Sequence, residues 1–486
     1  MAAREQRHAE RPRARPRRWW SWLPEVLVLV ILLSAYGNAQ WHLGHRWFGL
    51  SLADPQGNPS AVAAPLGLDL VAGAPAPAVG TPQRPGRIDP AAVKAALAGL
   101  VTDSHLGPHA SIAVSEVSTG KVVFQRGALA VTPASTMKLL TSTAALEKLG
   151  PMARFATRVV GSGNAITLVG GGDPFLASAP HHGRGQYPAR ADLLTLARRT
   201  AAALKAHGVR RVVLSYDASL FTGPAVDPHW PSTYVPEDVV PPISALWVEE
   251  GRDSNGHYVP DPAAAAGEAF RTALRAAGIR TAGSVRPATA ASDAPEIARV
   301  ESAPLGEIVQ QTLAVSDNNA AEVLSRQVGH AVSGDASFTG GAAGVRAVLG
   351  GLKVPLAGTR IYDGSGLSRE DRLTPAALLG VLQVAASAAR PQLREVITGL
   401  PVAGFTGSLQ WRFDKGPGDA RGRVRAKTGT LTGVHGLAGF ATDTQGDLMA
   451  FVIIADRVAA PDQLLAQHDL DLMAAALASC RCGVRG

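Results

Sequence analysis

Residues 132–140 read Thr-Pro-Ala-Ser-Thr-Met-Lys-Leu-Leu, and the way this stretch divides into a loop and a helix start sets the architecture around it. From Ser135 onward the apolar residues recur on one face until Gly150-Pro151 ends the run, which predicts a helix over 135–149 entered through Thr132-Pro133. Upstream, residues 111–117, the turn Ser118-Thr119-Gly120 and residues 121–124 have the alternation and turn chemistry of a β-hairpin. The helix therefore starts just after a strand, a good place to hold a reactive side chain. Ser135 and Lys138 stand three residues apart and project from one helix face. A serine hydroxyl is a weak nucleophile until a base takes its proton, and a lysine becomes such a base once burial or a nearby positive charge lowers its pKa. The pattern alone is common, and Ser118-Thr119-Gly120-Lys121 repeats it as turn residues of the hairpin.

Two further clusters give it weight. Residues 303–324 read as a helix broken by Ser316-Asp317-Asn318-Asn319. Ser316 offers a second hydroxyl that can pass a proton to a leaving amine, and Asn318 an amide for a substrate peptide group. Ser162-Gly163-Asn164 has the same spacing but lies in a glycine-rich turn before a strand. Lys427-Thr428-Gly429 occurs once, inside a predicted strand over 423–432, where lysine and glycine are unusual together. Glycine there allows a ligand close to the backbone, while lysine and threonine suit a carboxylate; a solvated edge strand is the plainer alternative. Strands over 436–442 and 447–455 follow, then a helix over 461–478.

Taken in chain order, the three clusters resemble those of the active-site-serine penicillin-recognising enzymes. Further matches narrow the resemblance to the low-molecular-mass class C penicillin-binding proteins, the D-Ala-D-Ala carboxypeptidase/endopeptidase family. They are Leu168-Val169-Gly170-Gly171-Gly172-Asp173-Pro174, residues 245–252 (ALWVEEGR), Asp363-Gly364-Ser365-Gly366-Leu367-Ser368-Arg369 and Lys427-Thr428-Gly429-Thr430-Leu431. The likeness runs over residues 88–475. It implies an α+β fold with a β-lactamase/transpeptidase-like antiparallel sheet flanked by helices, and an additional domain inserted in the 181 positions from Ser135 to Ser316. The insertion is short for the family, so one of the extra domains is expected to be trimmed or absent. The resemblance further implies that Ser135 attacks the carbonyl of the penultimate D-alanine with Lys138 as general base. Ser316 returns the proton to the leaving D-alanine, with Lys427 close by, and Asn318 holds the substrate amide. Lys427 and Thr428 take the terminal carboxylate beside Gly429 and Thr430, and the N–H groups of Ser135 and Thr430 form an oxyanion hole. Arg369 is a candidate for the far end of the peptide stem, against the plainer reading of an exposed structural arginine. Peptidoglycan stem peptides would be the substrates and β-lactams covalent inhibitors. A β-lactamase or esterase of the same fold, and a wall-binding or penicillin-sensing module with a vestigial site, remain as alternatives. Glu370-Asp371-Arg372-Leu373-Thr374 nearly matches the loop that activates a deacylating water in class A β-lactamases, with threonine in place of asparagine.

The rest of the 486 residues fits an exported enzyme. Apolar residues make up 46 % and charged residues 18 %, so the bulk is globular. Residues 1–18 hold seven arginines against two glutamates, so five of the eight net positive charges sit there and no broad basic face remains for nucleic acid. That cytoplasmic arm precedes an apolar segment over 19–39, readable as a membrane anchor or a cleaved signal peptide, then a Pro/Ala/Gly-rich linker over 40–87. Either way, everything after it is extracytoplasmic. The catalytic domain is expected in two segments, 88–158 and 301–486, around an inserted domain at 159–300. Cys480 and Cys482, the only cysteines, form a short-loop disulfide or an incidental tail. No cofactor is implied. The thirteen histidines form no H-E-x-x-H pair, His181-His182 sits in a Gly-rich loop, and no metal site is expected. Ser365 lacks both glycines of a hydrolase elbow, Asp363 and Leu367 standing in their places, and Gly170-Gly171-Gly172 has no following helix to cradle a phosphate.

Overall fold

In the computed structural model, residues 87–180, 187–414 and 420–484 are described. The expected basic arm (1–18), the apolar segment (19–39), the linker up to residue 86 and the pair His181-His182 lie outside them. A short strand β1 (Arg87–Ile88) and helix α1 (Pro90–Leu97), capped by the Asp89 carboxylate on the Ala91 N–H, lead into the hairpin β2 (Ala110–Glu116) and β3 (Val122–Gly127). Helix α2 (Met137–Leu149) follows and ends at Gly150, whose φ of +85° lies in the left-handed region that favours glycine.

The chain then builds a second sheet from β4 (Ala156–Ser162), β5 (Ala165–Val169), β6 (Arg211–Asp217), β7 (Arg280–Pro287) and β8 (Glu296–Glu301), in the order β7-β6-β5-β4-β8. The β5/β6 and β6/β7 pairs are parallel, so each needs a crossover, supplied by α3 (Leu193–Ala206) and α4 (Pro262–Ala276). Leu196 of α3 and Phe270 of α4 pack with Val159, Leu168, Val212 and Leu214 of the strands. Along β6, Val212 and Leu214 are buried while Val213 is exposed, so this sheet covers one face only. Its first and last strands in chain order pair: Ala156 of β4 stands opposite Glu301 of β8.

After β8 come α5 (Leu305–Ala314), α6 (Asn318–Ser333), α7 (Phe338–Gly351) and α8 (Pro375–Ala386), then β9 (Val424–Leu431), β10 (Val434–Thr442), β11 (Leu448–Ala455), α9 (Gln463–Ser479) and β12 (Gly483–Val484). Strands from the two ends of the chain interleave in one antiparallel sheet, β3-β2-β11-β10-β9. Strand β11 reads Leu-Met-Ala-Phe-Val-Ile-Ile-Ala, apolar throughout, because both of its faces are covered. Ala450, Val452 and Ile454 pack toward α2, α5, α6 and α8, whereas Met449, Phe451 and Ile453 pack toward α1 and α9. The α+β class and the antiparallel catalytic sheet between helices agree with expectation. The described residues form one compact unit. Cys480 and Cys482 are joined in a disulfide. Among the described residues, no helix is long and apolar enough to cross a membrane.

Phe451 is fully buried in the middle of the sheet. Phe451→Ala is expected to lower the unfolding free energy by about 3–5 kcal/mol, measured by denaturant titration, because the cavity cannot collapse between two helical layers.

Candidate active site

The nucleophile candidate sits where the sequence placed it, on a turn that is under tension. Ala134 has φ +46°, a left-handed conformation that a side chain resists. The tight turn Ala134–Thr136 runs straight into α2, with the Thr136 hydroxyl and N–H both donating to the Pro133 carbonyl at 2.8 and 3.2 Å. Two glycines press on this turn. A Cβ on Gly366 would lie 1.9 Å from the Ala134 carbonyl oxygen, and one on Gly429 would lie 2.8 Å from that of Pro133. Sequence reasoning took Gly429 as room for a ligand; the structure uses that room to bring β9 against the nucleophile turn.

Lys138 is the second residue of α2, one turn after Ser135, and is fully buried. Its Nζ donates to Ser135 Oγ at 2.9 Å, to Asn318 Oδ1 at 2.7 Å and to the Ser365 carbonyl at 2.9 Å. Burial lowers its pKa to about 8, against the opposing pull of the Glu322, Asp363 and Asp317 carboxylates. Ser135 is only partly buried, so a substrate can approach it.

Ser316 occupies the break between α5 and α6 with φ +63°, and its hydroxyl bonds to no group among the described residues. The break is sharp because Asp317 caps the next helix, its carboxylate accepting from the Ala320 N–H at 2.9 Å. Asn318, the first residue of α6, gives its Oδ1 to Lys138 and leaves its Nδ2 with no acceptor among the described residues.

Lys427 and Thr428 lie on β9, an edge strand, yet both are buried. The solvated-edge alternative therefore fails. Burial, together with the charges of Lys138 and Arg412, holds the Lys427 amine well below the usual lysine range; it donates to the Thr428 carbonyl at 2.9 Å. Thr428 Oγ1 is 2.8 Å from Ser408 Oγ. Gly429 is buried, while Thr430 on the same strand is exposed. Arg369 is exposed and donates to the Thr432 carbonyl at 3.1 Å, tying its loop to the β9/β10 turn. Glu370 is exposed and paired with His229 at 3.2 Å and makes no bond to Ser135 or Lys138, unlike a base for a deacylating water.

Several residues escaped the sequence reading. Apart from Arg369, the 363–369 stretch was matched as a pattern without a role, and its Ser365 carbonyl proves to be a direct partner of Lys138. Asp363 folds that loop by accepting from the Gly366 and Ser368 N–H groups at 2.7 and 2.6 Å and from Trp230 Nε1 at 2.8 Å. Glu250, from the ALWVEEGR stretch, accepts from Asn319 Nδ2 at 3.1 Å, and Asn319 also donates to the Tyr258 hydroxyl at 2.9 Å. Burial and the Asp317 charge push the Glu250 carboxyl up. Ser408 carried no signal. Outside these motifs, Asp103, His105 and Asp469 gather ligand atoms within 4.8 Å, but His105 already pairs with both carboxylates at 2.9 and 3.2 Å.

The geometry can be set beside known proteins. The family model of the D-Ala-D-Ala carboxypeptidase 3 (S13) family matches residues 93–257 and 253–477. A carboxypeptidase of Mycobacterium tuberculosis is 35% identical over 412 residues, covering 81% of this chain and 85% of that protein. Carboxypeptidase DacB of Mycolicibacterium smegmatis is 32% identical over 472 residues, covering 94% and 96%. A D-alanyl-D-alanine carboxypeptidase of an Actinomadura species is 29% identical over 451 residues, covering 74% and 80%. Among solved structures, penicillin binding protein 4 of Haemophilus influenzae superposes with a TM-score of 0.64 at 22% identity, over 79% of this chain and 98% of that one. The same protein in complex with a β-lactam gives 0.56 at 21% identity, with the same coverage.

Gly366 has φ +84° and no space for a side chain. Gly366→Ala is expected to slow acylation of Ser135 by at least about tenfold while the protein still folds, because the added methyl must displace the Ala134 carbonyl; the rate of adduct formation and the melting temperature, read together, check this.

Proposed function

The chain belongs to the D-Ala-D-Ala carboxypeptidase 3 (S13) family, and we propose that Ser135, Lys138, Ser316, Asn318 and Lys427 carry its reaction. The protein is a serine-type D-Ala-D-Ala carboxypeptidase, a hydrolase. The observation that supports these roles best is the set of three oxygens around Lys138 Nζ. A neutral amine has two N–H donors and one lone pair. With Asn318 Oδ1 and the Ser365 carbonyl taking the two donors, the lone pair is left facing Ser135 Oγ, ready to accept its proton as the hydroxyl attacks.

Ser135 Oγ adds to the carbonyl of the penultimate D-alanine. The oxyanion forms against the N–H groups of Ser135 and Thr430, each such donor being worth roughly 3–4 kcal/mol. Thr430 is the exposed position at the free edge of β9, where a peptide can lie alongside the strand. Asn318 Nδ2 is available to hold a substrate carbonyl. The buried amine of Lys427 and the hydroxyl of Thr428, oriented by Ser408, take the terminal carboxylate. The proton passes through Ser316 to the departing D-alanine amine, and water then releases the acyl group. Arg369 stands on the loop beside the β9/β10 turn, a position suited to the far end of the stem peptide.

Stem peptides of peptidoglycan are the substrates in this reading, and β-lactams acylate Ser135 as mimics of the D-Ala-D-Ala end. The β-lactam complex of the Haemophilus influenzae protein supports that part, and the exposed position of Glu370 favours a long-lived adduct over β-lactamase turnover. The protein acts outside the cytoplasm. Residues 19–39 hold it at the membrane or are removed on export, with 40–87 as spacer, and 159–300 form a domain inserted between catalytic segments 88–158 and 301–486. The Cys480–Cys482 disulfide is in keeping with an oxidising compartment.

Intact mass after mixing with benzylpenicillin is expected to show one adduct that persists for many minutes on the wild type and is absent from Ser135→Ala. Rapid loss of the adduct with hydrolysed drug would make the protein a β-lactamase, and no adduct on the wild type would sink the catalytic reading. Because the base must be neutral, the acylation rate is expected to rise with pH up to about 8, the pKa of Lys138, and level off above it. D-alanine release from a pentapeptide should follow the same limb.

A further inference from the structure

The general base owes one of its three partners to a backbone carbonyl, and a carbonyl points only where its loop is held. The Asp363–Ser368 loop is held from two helices. Thr141 of α2 donates its hydroxyl to the Gly364 carbonyl at 2.7 Å. Glu322 of α6 accepts from the Gly364 N–H at 2.9 Å through Oε2 and from the Ser365 N–H at 2.7 Å through Oε1. Glu322 is fully buried, one helical turn after Asn318, so the two lie on the same face of α6. A Cβ on Gly364 would stand 2.6 Å from the Ala321 carbonyl oxygen, which leaves the loop no slack against α6.

We propose that Glu322 is a positioning residue of the reaction: by binding two consecutive N–H groups it aims the Ser365 carbonyl at Lys138 Nζ and so fixes the direction of the amine lone pair. This rests on Lys138 being the base. Asn318 supplies one anchor of the amine directly and Glu322 the other through Ser365, so a single helix face sets both. Only an acceptor at both oxygens serves two N–H donors, which singles out a carboxylate over an amide of the same shape. The residue has a second lever on the base. Its charge favours protonated Lys138, alongside Asp363 and Asp317 and against Lys427. Glu322 itself faces Asp363, Asp227, Asp371 and Arg326, and burial with the Asp363 charge pushes its carboxyl up.

The test is the rate constant for acylation of the full chain by benzylpenicillin as a function of pH, counted per acylable molecule, for wild type, Glu322→Gln and Glu322→Asp. Glu322→Gln is expected to acylate about tenfold to a hundredfold more slowly on the plateau, with its acidic limb moved to lower pH because a negative charge beside Lys138 is gone. Glu322→Asp keeps the charge but falls one methylene short, so its plateau should drop while its limb stays near that of the wild type. A rate within about twofold of wild type with an unmoved limb in Glu322→Gln would overturn the proposal, as would a lowered melting temperature with an unchanged rate per acylable molecule. Should Glu322→Gln fail to fold, Glu322→Asp decides alone: a wild-type plateau overturns, a lowered plateau with a kept limb supports. Failure of the wild type to acylate, or an adduct retained in Ser135→Ala, would instead strike the assignment of Ser135 and Lys138.

Discussion

A lysine amine taken out of water and surrounded by three oxygens from three distant segments is the constraint around which this protein is arranged. Burying a cation without partners is costly, so its pKa falls and its neighbours must be placed with care. Ser135 comes from the turn before α2, Asn318 from the start of α6, and Ser365 from the loop before α8. None of these segments can shift alone without loosening the amine. The left-handed Ala134 and the two glycines that leave no space beside it show the same economy, since backbone packs against backbone where side chains would hold the segments apart.

Much of this was legible in the chain before its fold was known. The spacing of Ser135 and Lys138 at a helix start, the polar break in an apolar helix at Ser316, and a lysine and glycine inside a strand are each local anomalies that propensity does not explain. Their coincidence in order carried the reading. The hairpin 111–124, the helix 135–149 and the three late strands followed from apolar runs between turn residues, although α2 begins at Met137 and α2, β2, β10 and β11 are buried on nearly all sides rather than on one face. What stayed hidden depends on tertiary neighbours. A backbone carbonyl such as that of Ser365 has no sequence signature. Glu322 looks like any acid on an amphipathic helix, and only its place four residues after Asn318 hints at the shared face. Lys427 read equally well as solvated, since an edge strand is exposed until other segments cover it. Ser408 offered nothing.

Residues 159–300 take part in holding the site even though none of them was singled out for chemistry. Trp230 holds Asp363, and Glu250 with Tyr258 holds Asn319, the neighbour of Asn318. Gln327 of α6 in turn donates to the Gly171 carbonyl at 2.7 Å, so the glycine turn after β5 is seated on the helix that carries Asn318. The matched patterns at 168–174 and 245–252 thus mark where the second sheet grips the second motif.

The pairing of Ala156 with Glu301 has a further consequence. The chain leaves the catalytic fold and returns to it one strand spacing away, about 5 Å. An excursion whose ends are stapled in this way has almost no closure entropy left to lose, and in general each doubling of loop length adds only about 0.6 kcal/mol. Its size is therefore nearly neutral for folding, and residues can be gained or lost in it without changing the register of β2, β9, β10 and β11. The freedom stops where the segment is held, among other places at Gly171, His229, Trp230, Glu250 and Tyr258. Over evolutionary time such a segment is free to grow or shrink between those moorings, which makes it the part of the molecule where new reach beyond the cleft can be acquired without retuning the amine at its centre.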